Sequence, residues 1–330
     1  MPTLYVIEPG AHIEKEYHRL VVAKEDEVIQ RVPIEHVSEV VLIGAVGITP
    51  PAMVALLDAG VAFSLIRSTG QLLGRLTPPI MGNLPLRHQQ YQRALDSEFC
   101  LLISKGIVAG KLRNQRTIIR RLCREHKEVN RKFADAISLS LSRITSACDL
   151  NSLRGLEGSA AKTYFKALRS ILPQGWESVK RERRPPPDPF NALISFGYTL
   201  LLQNVMTALE LVGMDPYDGF FHADKYGRPA LSLDMMEEFR GVIVDSVVLS
   251  VINKRILHPD DFTRTTHGVM LKSHALHKFL QQYSSRLQTA VFHPYACRKL
   301  TYQKCLEVQA RLLRKGVETG ADHYRPFHAK

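Results

Sequence analysis

The sequence predicts a two-domain α+β protein, with a β-rich, sandwich-like domain over residues 1–85 and a larger all-α domain over residues 86–330. Residues 1–85 contain short apolar runs separated by polar residues, a pattern typical of short strands. Apolar residues then recur every three or four positions, as helices require. The chain is long enough for two cores, since 45% of its 330 residues are hydrophobic. Four chain-bending residues indicate a linker between the domains: Pro78, Pro79, Gly82 and Pro85.

The N-terminal domain is expected to contain short, closely spaced strands. They are predicted at residues 3–7, 18–23, 28–33, 37–43, 61–66 and 71–76. Strands of this length and spacing are typical of an antiparallel sandwich or a small barrel. One helix is predicted to interrupt them at residues 50–59, because prolines occupy its first turn and Gly60 follows its end.

The second domain is expected to be a series of helices. They are predicted at residues 87–110, 111–141, 149–165, 190–212, 241–257, 272–291 and 298–315, with a short helix that opens at Asp234. The mostly apolar helix 190–212 is expected at the centre of this domain. From the sequence we expect no apolar run long enough to cross a bilayer and no signal peptide. A membrane protein is therefore not expected.

The cysteines and the absence of two sequence motifs argue against several classes of protein: disulfide-bonded proteins, nucleotide-driven motors and serine hydrolases of the GxSxG type. The five cysteines form no CxxC pair, and their odd number and wide spacing predict reduced thiols in a cytoplasmic protein. The sequence has no phosphate-binding GxxxxGK[ST] loop and no GxSxG elbow. A nucleotide-driven motor and a serine hydrolase of that type are therefore not expected.

Positive charge predicts a polyanionic partner. Lys and Arg number 44 against 32 acidic residues, a net charge of +12. Nucleic acid or an anionic membrane surface would suit this excess, although a merely basic soluble protein has the same composition. Basic residues recur on one side of a predicted helix, which is either a solvated face or a phosphate-tracking surface. They include Arg113, Arg116 and Arg120.

A second basic segment covers residues 172–189. It contains Arg184, several prolines and the only tryptophan, Trp176. This composition predicts a mobile surface loop. Two interpretations remain open: a solvated linker, or a nucleic-acid contact that becomes ordered on binding.

The stretch from Gly213 to Arg240 has the composition of a metal site. Glycines and prolines define the backbone path around His222, and a helix then presents Asp234 and Glu237 on one face. Glu157 lies among small residues, so it is expected to be buried and to need either a metal ion or a lysine as partner. An imidazole with carboxylates predicts a site for Mg²⁺ or Mn²⁺, and the imidazole favours Mn²⁺.

A purely structural interpretation of the same residues stays open. Asp234 would then be an N-cap with Glu237 closing a capping box, and His222 a satisfied buried histidine.

The metal interpretation suits phosphodiester chemistry on a basic protein. A divalent ion polarises a phosphoryl oxygen, lowers the pKa of bound water or aligns a DNA 3′-hydroxyl.

Three ordered motifs resemble the universal spacer-acquisition nuclease and integrase of CRISPR–Cas systems, the "Cas one" family. They are Leu156-Glu-Gly-Ser-Ala-Ala-Lys-Thr-Tyr-Phe165, Asp188-Pro-Phe-Asn-Ala-Leu-Ile-Ser-Phe-Gly-Tyr198, and the stretch from Gly213 to Arg240. Thr49-Pro-Pro-Ala and Gly70-Gln-Leu-Leu-Gly-Arg near the N-terminus also fit. The resemblance covers nearly the whole chain.

The resemblance implies an N-terminal domain that forms a homodimer and a helical domain that holds Mg²⁺ or Mn²⁺. Glu157, His222 and Glu237 match the family's metal ligands and are the predicted catalytic residues. Asp234 matches an acidic position that contributes to metal binding in some members. Supporting roles near the site are predicted for Asn191, Tyr198, Lys162, Tyr164 and Arg240.

The implied function is that of a metal-dependent DNA endonuclease and integrase in CRISPR adaptation, a part of antiviral defence. Such proteins join protospacer 3′ ends to the CRISPR repeat by transesterification and also cut branched and other DNA. Two of their dimers assemble around a dimer of a small second acquisition protein, forming a heterohexamer. The alternatives are a branched-DNA repair nuclease without integration and a DNA-binding scaffold without catalysis, against which the intact ligand set argues.

Overall fold

The structure is a computed structural model that describes residues 3–25, 27–78, 83–182, 185–222, 225–266 and 268–329. The chain divides into two compact units. Unit 1 comprises Met1–Met81, Glu182–Thr199 and Arg255–Ser285, and unit 2 comprises Gly82–Arg181, Leu200–Lys254 and Arg286–Lys330. The predicted α+β class is confirmed, but the part predicted to be all-α also contains the short strands Phe262–Thr265, Gly268–Leu271, Ala290–His293 and Arg298–Thr301. The predicted domain boundary at residue 85 stays a prediction.

The secondary-structure elements are numbered in chain order. The strands are β1 Thr3–Val6, β2 His12–Glu16, β3 Arg19–Lys24, β4 Glu27–Pro33, β5 Glu39–Ile43, β6 Gly47–Ile48, β7 Ala62–Ile66, β8 Leu72–Leu76, β9 Phe262–Thr265, β10 Gly268–Leu271, β11 Ala290–His293 and β12 Arg298–Thr301. The helices are α1 Pro50–Asp58, α2 Leu84–Leu95, α3 Ser97–Glu125, α4 Lys132–Ser142, α5 Leu150–Arg169, α6 Pro189–Leu211, α7 Ala230–Phe239, α8 Ser246–Asn253, α9 Ser273–Gln288 and α10 Tyr302–Thr319. A π-helix, Arg240–Asp245, joins α7 to α8.

Two four-stranded sheets form the N-terminal part of unit 1. The first has the order β1-β5-β7-β8, in which β1, β5 and β7 are parallel and β8 is antiparallel. The second has the order β4-β3-β2-β6, with antiparallel pairing except between β2 and β6. The wholly antiparallel arrangement expected from the sequence is therefore wrong. Parallel strands need a crossover connection, and α1 supplies one between β5 and β7.

One hydrophobic cluster includes residues of both sheets and of α1. Strand β5 is buried at every position because it lies between β1 and β7 in its sheet. Burial of these side chains contributes roughly 25 cal/mol per Å² of apolar surface removed from water. Members of the cluster include Leu4, Ile13, Leu20, Val40, Leu56 and Phe63.

Helix boundaries in unit 2 differ from those predicted. Helix α2 ends at residue 95 and α3 continues to residue 125, whereas one helix was expected over 87–110 and another over 111–141. The side chain of Asp96 caps α3 by accepting hydrogen bonds from the backbone N–H groups of Glu98 and Phe99. The amphipathic pattern continues across this break, so periodicity alone did not indicate it. Helix α3 contacts α2, α4, α5, α7 and the π-helix.

Helix α6 is long and apolar enough to cross a membrane by length and composition, contrary to the expectation from the sequence. In its most apolar 18-residue window, 72% of the residues are buried inside the protein. This burial is what the core helix of a folded domain shows.

The segment before α6 is more firmly packed than expected. Trp176 is 3% exposed, and its backbone N–H donates to the carbonyl of Pro173. The backbone N–H of Glu182 donates to the Oδ1 atom of Asn191. The prediction of a mobile surface loop is therefore wrong for the part that holds the tryptophan. Arg184 lies outside the described residues.

Candidate metal centre

Helix α7 supplies two acidic residues of the candidate centre. It begins at Ala230, four positions before Asp234, and its N-cap is Pro229. Asp234 is therefore an interior helical residue, and the alternative that made it an N-cap is wrong. Both Asp234 and Glu237 are buried on this helix.

Asp234 holds the loop that carries His222. Its Oδ2 atom accepts hydrogen bonds from the backbone N–H groups of Phe220 and Phe221, at 2.7 and 2.9 Å. Its Oδ1 atom accepts from the backbone N–H of His222 at 2.9 Å and from the ring Nδ1–H at 2.6 Å. Four bonds use the acceptor sites of an ionised carboxylate. Asp234 thus orients the ring through Nδ1 rather than Nε2 of His222. That Asp234 also contributes to metal binding stays a prediction.

Gln90 of α2 secures the beginning of the same loop. Its amide Nε2 donates to the carbonyls of Asp215 and Asp218, both at 2.8 Å, and its Oε1 accepts from the backbone N–H of Asp215 at 2.9 Å. The side chain is fully buried. Because buried polar groups need partners, these three bonds favour one loop conformation.

Two further contacts secure the end of the loop. Arg154 of α5 donates to the carbonyl of Phe221, at 2.6 Å from its closer nitrogen. At Gly219 a Cβ atom would lie 2.8 Å from the Oδ2 atom of Asp234 and from the backbone nitrogen of Leu231. Only glycine permits the loop backbone to approach α7 this closely.

Glu157 of α5 and Glu237 of α7 share a lysine partner. The Nζ atom of Lys111, on α3, contacts the Oε1 atom of Glu157 and lies 2.6 Å from the Oε2 atom of Glu237. Of the two partners expected for Glu157, the structure contains the lysine. Gly155 and Gly158 beside it have open space around them, so they do not serve a close backbone approach.

Positive charge surrounds Glu237. The Nε atom of Arg240 lies 3.1 Å from its Oε1 atom, and the Nε2 atom of His222 lies 3.8 Å from the same oxygen. Burial raises the pKa of Glu237, but Arg240, Lys111 and His222 outweigh it and lower the pKa from 4.5 to about 2. Burial lowers the pKa of Lys111, but the two glutamates more than compensate and raise it above its ordinary value. The carboxylate and the ammonium are both charged at neutral pH.

Arg240 is the first residue of the π-helix, whose carbonyls accept side-chain hydrogen bonds. Arg286 donates to the carbonyl of Val242 at 2.8 Å, and Ser246 donates to that of Gly241 at 2.9 Å. The hydroxyl of Tyr164, a predicted supporting residue, donates to Asp245 at 2.9 Å. Such π-turns occur frequently at functional sites.

The next residue of α7, Glu238, binds the C-terminal segment instead. Its Oε1 atom accepts from the Tyr324 hydroxyl, and its Oε2 atom accepts from the backbone N–H of Phe327 at 2.6 Å. Burial raises the pKa of Glu238 to about 8, although these two hydrogen bonds lower it. Glu238 therefore secures α7 rather than extending the candidate centre.

Lys162, Asn191 and Tyr198 are the other predicted supporting residues. Lys162 is exposed on α5. Asn191 and Tyr198 belong to unit 1, where the buried amide of Asn191 donates to Asp188 at 2.7 Å. Three predicted DNA-contacting residues lie on the more exposed side of α3: Arg113, Arg116 and Arg120. Lys111 lies on the opposite, buried side of the same helix.

The donor types suit Mg²⁺ or Mn²⁺. Glu157 and Glu237 carry carboxylate oxygens, which both ions favour, and His222 carries an imidazole nitrogen, which favours Mn²⁺ over Mg²⁺. In the described part of the chain, however, no group of three or more His, Cys, Asp or Glu side chains that could hold a metal ion is found. The ammonium of Lys111 lies between the two glutamates instead. The donor set fits the ion chemically, and two carboxylates, the buried Glu237 and the partly exposed Glu157, already contact one cation.

Comparison with known proteins identifies related sequences. The family model described as CRISPR associated protein Cas1 matches residues 4–285. A Thermus thermophilus protein, CRISPR-associated endonuclease Cas1 3, is 36% identical over 98% of this chain and 96% of its own length. CRISPR-associated endonuclease Cas1 1 of Moorella thermoacetica is 34% identical over 98% and 97%.

Solved structures share the fold. A CAS1 protein from Thermotoga maritima superposes with a TM-score of 0.84 at 22% identity, covering 99% of both chains. A chain of a Cas6-RT-Cas1–Cas2 complex gives a TM-score of 0.85 at 26% identity. That match covers 98% of this chain but only 36% of the other, so this chain spans about a third of that one.

Proposed function

This chain belongs to the Cas1 family of CRISPR-associated proteins, and from that membership we propose that it is a metal-dependent DNA endonuclease and integrase of CRISPR adaptation. Its curated relatives are named endonucleases. The observation that carries the proposal is the convergence of Glu157, Glu237 and His222 from three parts of unit 2 on one charged, largely buried cluster.

In the proposed mechanism, Glu157, Glu237 and the Nε2 atom of His222 would hold one divalent ion. When bound, the ion polarises a phosphoryl oxygen and stabilises the charge that develops on it. Asp234 keeps Nδ1 of His222 protonated and the ring in place. Arg240 keeps Glu237 ionised, so its carboxylate is available as a ligand near neutral pH.

The proposed joining reaction is a transesterification. The 3′-hydroxyl of a protospacer attacks a phosphorus atom of the repeat strand, and a new phosphodiester bond forms. The old phosphodiester bond breaks, and its 3′-oxygen leaves and takes up a proton. One phosphodiester replaces another, so the reaction needs no nucleotide energy source, in keeping with the absence of a GxxxxGK[ST] loop from the sequence.

The proposed partners are DNA, a second copy of this chain and a small second acquisition protein. One structural relative is described as a Cas1–Cas2 complex with further components, and another as a casposase bound to an integration product. The net charge of +12 suits a DNA partner. We propose a homodimer, with two such dimers around a dimer of the second protein.

A strand-transfer assay tests this function. The purified protein, with and without its small partner, receives repeat-bearing plasmid, a short duplex with free 3′-hydroxyls, and Mn²⁺ or Mg²⁺. Joined products that disappear on chelation and in His222→Ala support an integrase. The matched control is His274→Ala, which removes an exposed histidine of α9 that binds Asp261.

Two other outcomes favour the alternatives. Metal-dependent nicking without joining, even with the partner present, supports a branched-DNA repair nuclease. DNA binding without cleavage or joining under all metal conditions supports a non-catalytic scaffold. Full activity of both Glu157→Ala and His222→Ala would show that the site has been assigned to the wrong residues.

A further inference from the structure

Lys111 links three helices through one ammonium group. It lies in the middle of α3, whereas its partners Glu157 and Glu237 lie on α5 and α7. Its side chain is only 9% exposed, and that of Glu237 only 5%. The side chain of Glu157 is 21% exposed, so the contact is a largely buried three-charge cluster rather than a surface ion pair.

Electrostatics make this lysine necessary to the arrangement. One ammonium contacts both carboxylates, so Glu157 and Glu237 must lie close to each other. Two like charges held together in a buried place repel strongly. Arg240 lies beside Glu237, and Lys111 contacts both Glu237 and Glu157.

We propose that Lys111 is the resident cation of this centre, which holds Glu157 and Glu237 together before metal binding and competes with a divalent ion for their oxygens. The inference rests on the proposed function, because it takes these glutamates as metal ligands. Lys111 has no part in the proposed mechanism, and the inference gives it one. A lysine suits this role, since its compact charge sits on a flexible four-carbon stem that can withdraw while the backbone stays in α3.

Unfolding of the metal-free protein tests the linking role. Lys111→Met keeps the length of the side chain but removes its charge, and the melting temperature is expected to fall by at least roughly 5 °C. Lys111→Arg, which keeps a positive charge, should recover part of this loss. The control is Lys105→Met on the same helix, since Lys105 donates to the carbonyl of Thr145 in an exposed position.

Charge coupling separates this role from simple packing. If Lys111 offsets the repulsion between the glutamates, removing one glutamate charge should compensate for losing the lysine. The double variant Lys111→Met/Glu157→Gln is therefore expected to melt above Lys111→Met in metal-free buffer. Additive losses in the double variant would overturn the linking role.

Metal affinity tests the competition. Free Mn²⁺ is measured by electron paramagnetic resonance during titration of DNA-free protein. Because no ammonium has to be displaced, Lys111→Met is expected to bind Mn²⁺ at least roughly tenfold more tightly than the unaltered protein, a change of about 1.4 kcal/mol. Mn²⁺ should also raise the melting temperature of this variant more than that of Lys105→Met.

The outcomes distinguish this inference from the proposed function. If the unaltered protein binds Mn²⁺ and Lys111→Met binds it equally or more weakly, the competition is overturned and the proposed function stands. If neither protein binds Mn²⁺ or Mg²⁺, the competition and the metal-dependent function both fail. In that case the metal-free coupling between Lys111 and Glu157 still decides the linking role.

Discussion

The carboxylate of Asp234 binds both the backbone and the ring of His222. One oxygen, Oδ1, lies 2.9 Å from the backbone nitrogen and 2.6 Å from Nδ1. The same residue thereby positions the loop and orients the imidazole that the loop carries. This double contact gives the fully buried acid at position 234 a role in holding both the loop and the ring of the candidate centre.

Replacement of Asp234 by Asn should weaken both the loop and the metal site. An amide cannot accept all four hydrogen bonds, so the unfolding free energy is expected to fall by about 1–3 kcal/mol. Mn²⁺ affinity is expected to fall about 10–100-fold, since the ring of His222 loses its orienting partner. Denaturant unfolding and Mn²⁺ titration measure the two effects.

The exposed Asp322 provides the control for that experiment, as Asp322→Asn. It should leave both quantities unchanged. Unaltered Mn²⁺ affinity in Asp234→Asn would show that the orientation of His222 does not depend on this carboxylate.

Replacement of Gln90 by Leu should loosen the loop from a distance. The change keeps a similar volume but leaves the backbone N–H and carbonyl of Asp215 and the carbonyl of Asp218 without their amide partner. A loss of about 2–4 kcal/mol in stability is expected, with faster hydrogen exchange over residues 213–222. DNA cleavage should decrease because His222 is held less firmly.

The neighbouring Gln89 is exposed on the same helix, so Gln89→Leu is a matched control. Hydrogen exchange that is unchanged in Gln90→Leu would mean that other contacts, such as that of Arg154, suffice to hold the loop.

His293 should make the protein less stable in acid. Burial lowers its pKa below the ordinary 6.5, and the nearby His328 lowers it further, whereas the side chain of Gln309 raises it. Its Nδ1 atom accepts from the backbone N–H groups of Tyr295 and Ala296, a role that protonation removes. The folded state thus binds fewer protons than the unfolded state, and stability falls as pH decreases below 6.5.

Measurement of the unfolding free energy between about pH 8 and about pH 5 tests this sign. His293→Gln should lose less stability over that interval than the unaltered protein, whatever its stability at the upper end. The control His323→Gln removes an exposed histidine and should keep the original slope. An unchanged slope in His293→Gln would exclude this imidazole as the cause.

The arginine stripe on α3, formed by Arg113, Arg116 and Arg120, should contribute to DNA binding through phosphate contacts. Burial lowers the pKa of Arg116, and the charges of Arg120 and Arg113 lower it further, so the three guanidinium groups are concentrated in one place. If all three contact phosphates, their joint replacement by Gln should reduce the slope of log affinity against log salt by roughly 3. Fluorescence anisotropy at several salt concentrations measures this slope.

A charge-matched triple variant separates the stripe from net charge. It replaces three exposed basic residues elsewhere by Gln: Arg298, Lys299 and Lys315. Equal slopes in the two triple variants would show that overall charge, and not the stripe, governs binding.

Local pattern was sufficient to predict the α+β division and much of the candidate centre. The relation between Asp234 and Glu237 depends on helical periodicity, and the loop that carries His222 follows from glycines and prolines nearby in the sequence. Such features depend on interactions within a few residues, so the sequence shows them directly. The boundary between α2 and α3 at Asp96 was not predicted, because the amphipathic pattern continues across it.

Contacts between distant parts of the chain were decided only by the tertiary structure. Lys111 meets Glu157 and Glu237, and Gln90 binds a loop that begins at Gly213, because α2, α3, α5 and α7 pack together. Neither Lys111 nor Gln90 stands out in the sequence, since a lysine or a glutamine on an amphipathic helix is ordinarily solvated. Their roles arise from burial, which makes an unpaired charge or amide costly and so requires partners that only the folded chain brings within reach.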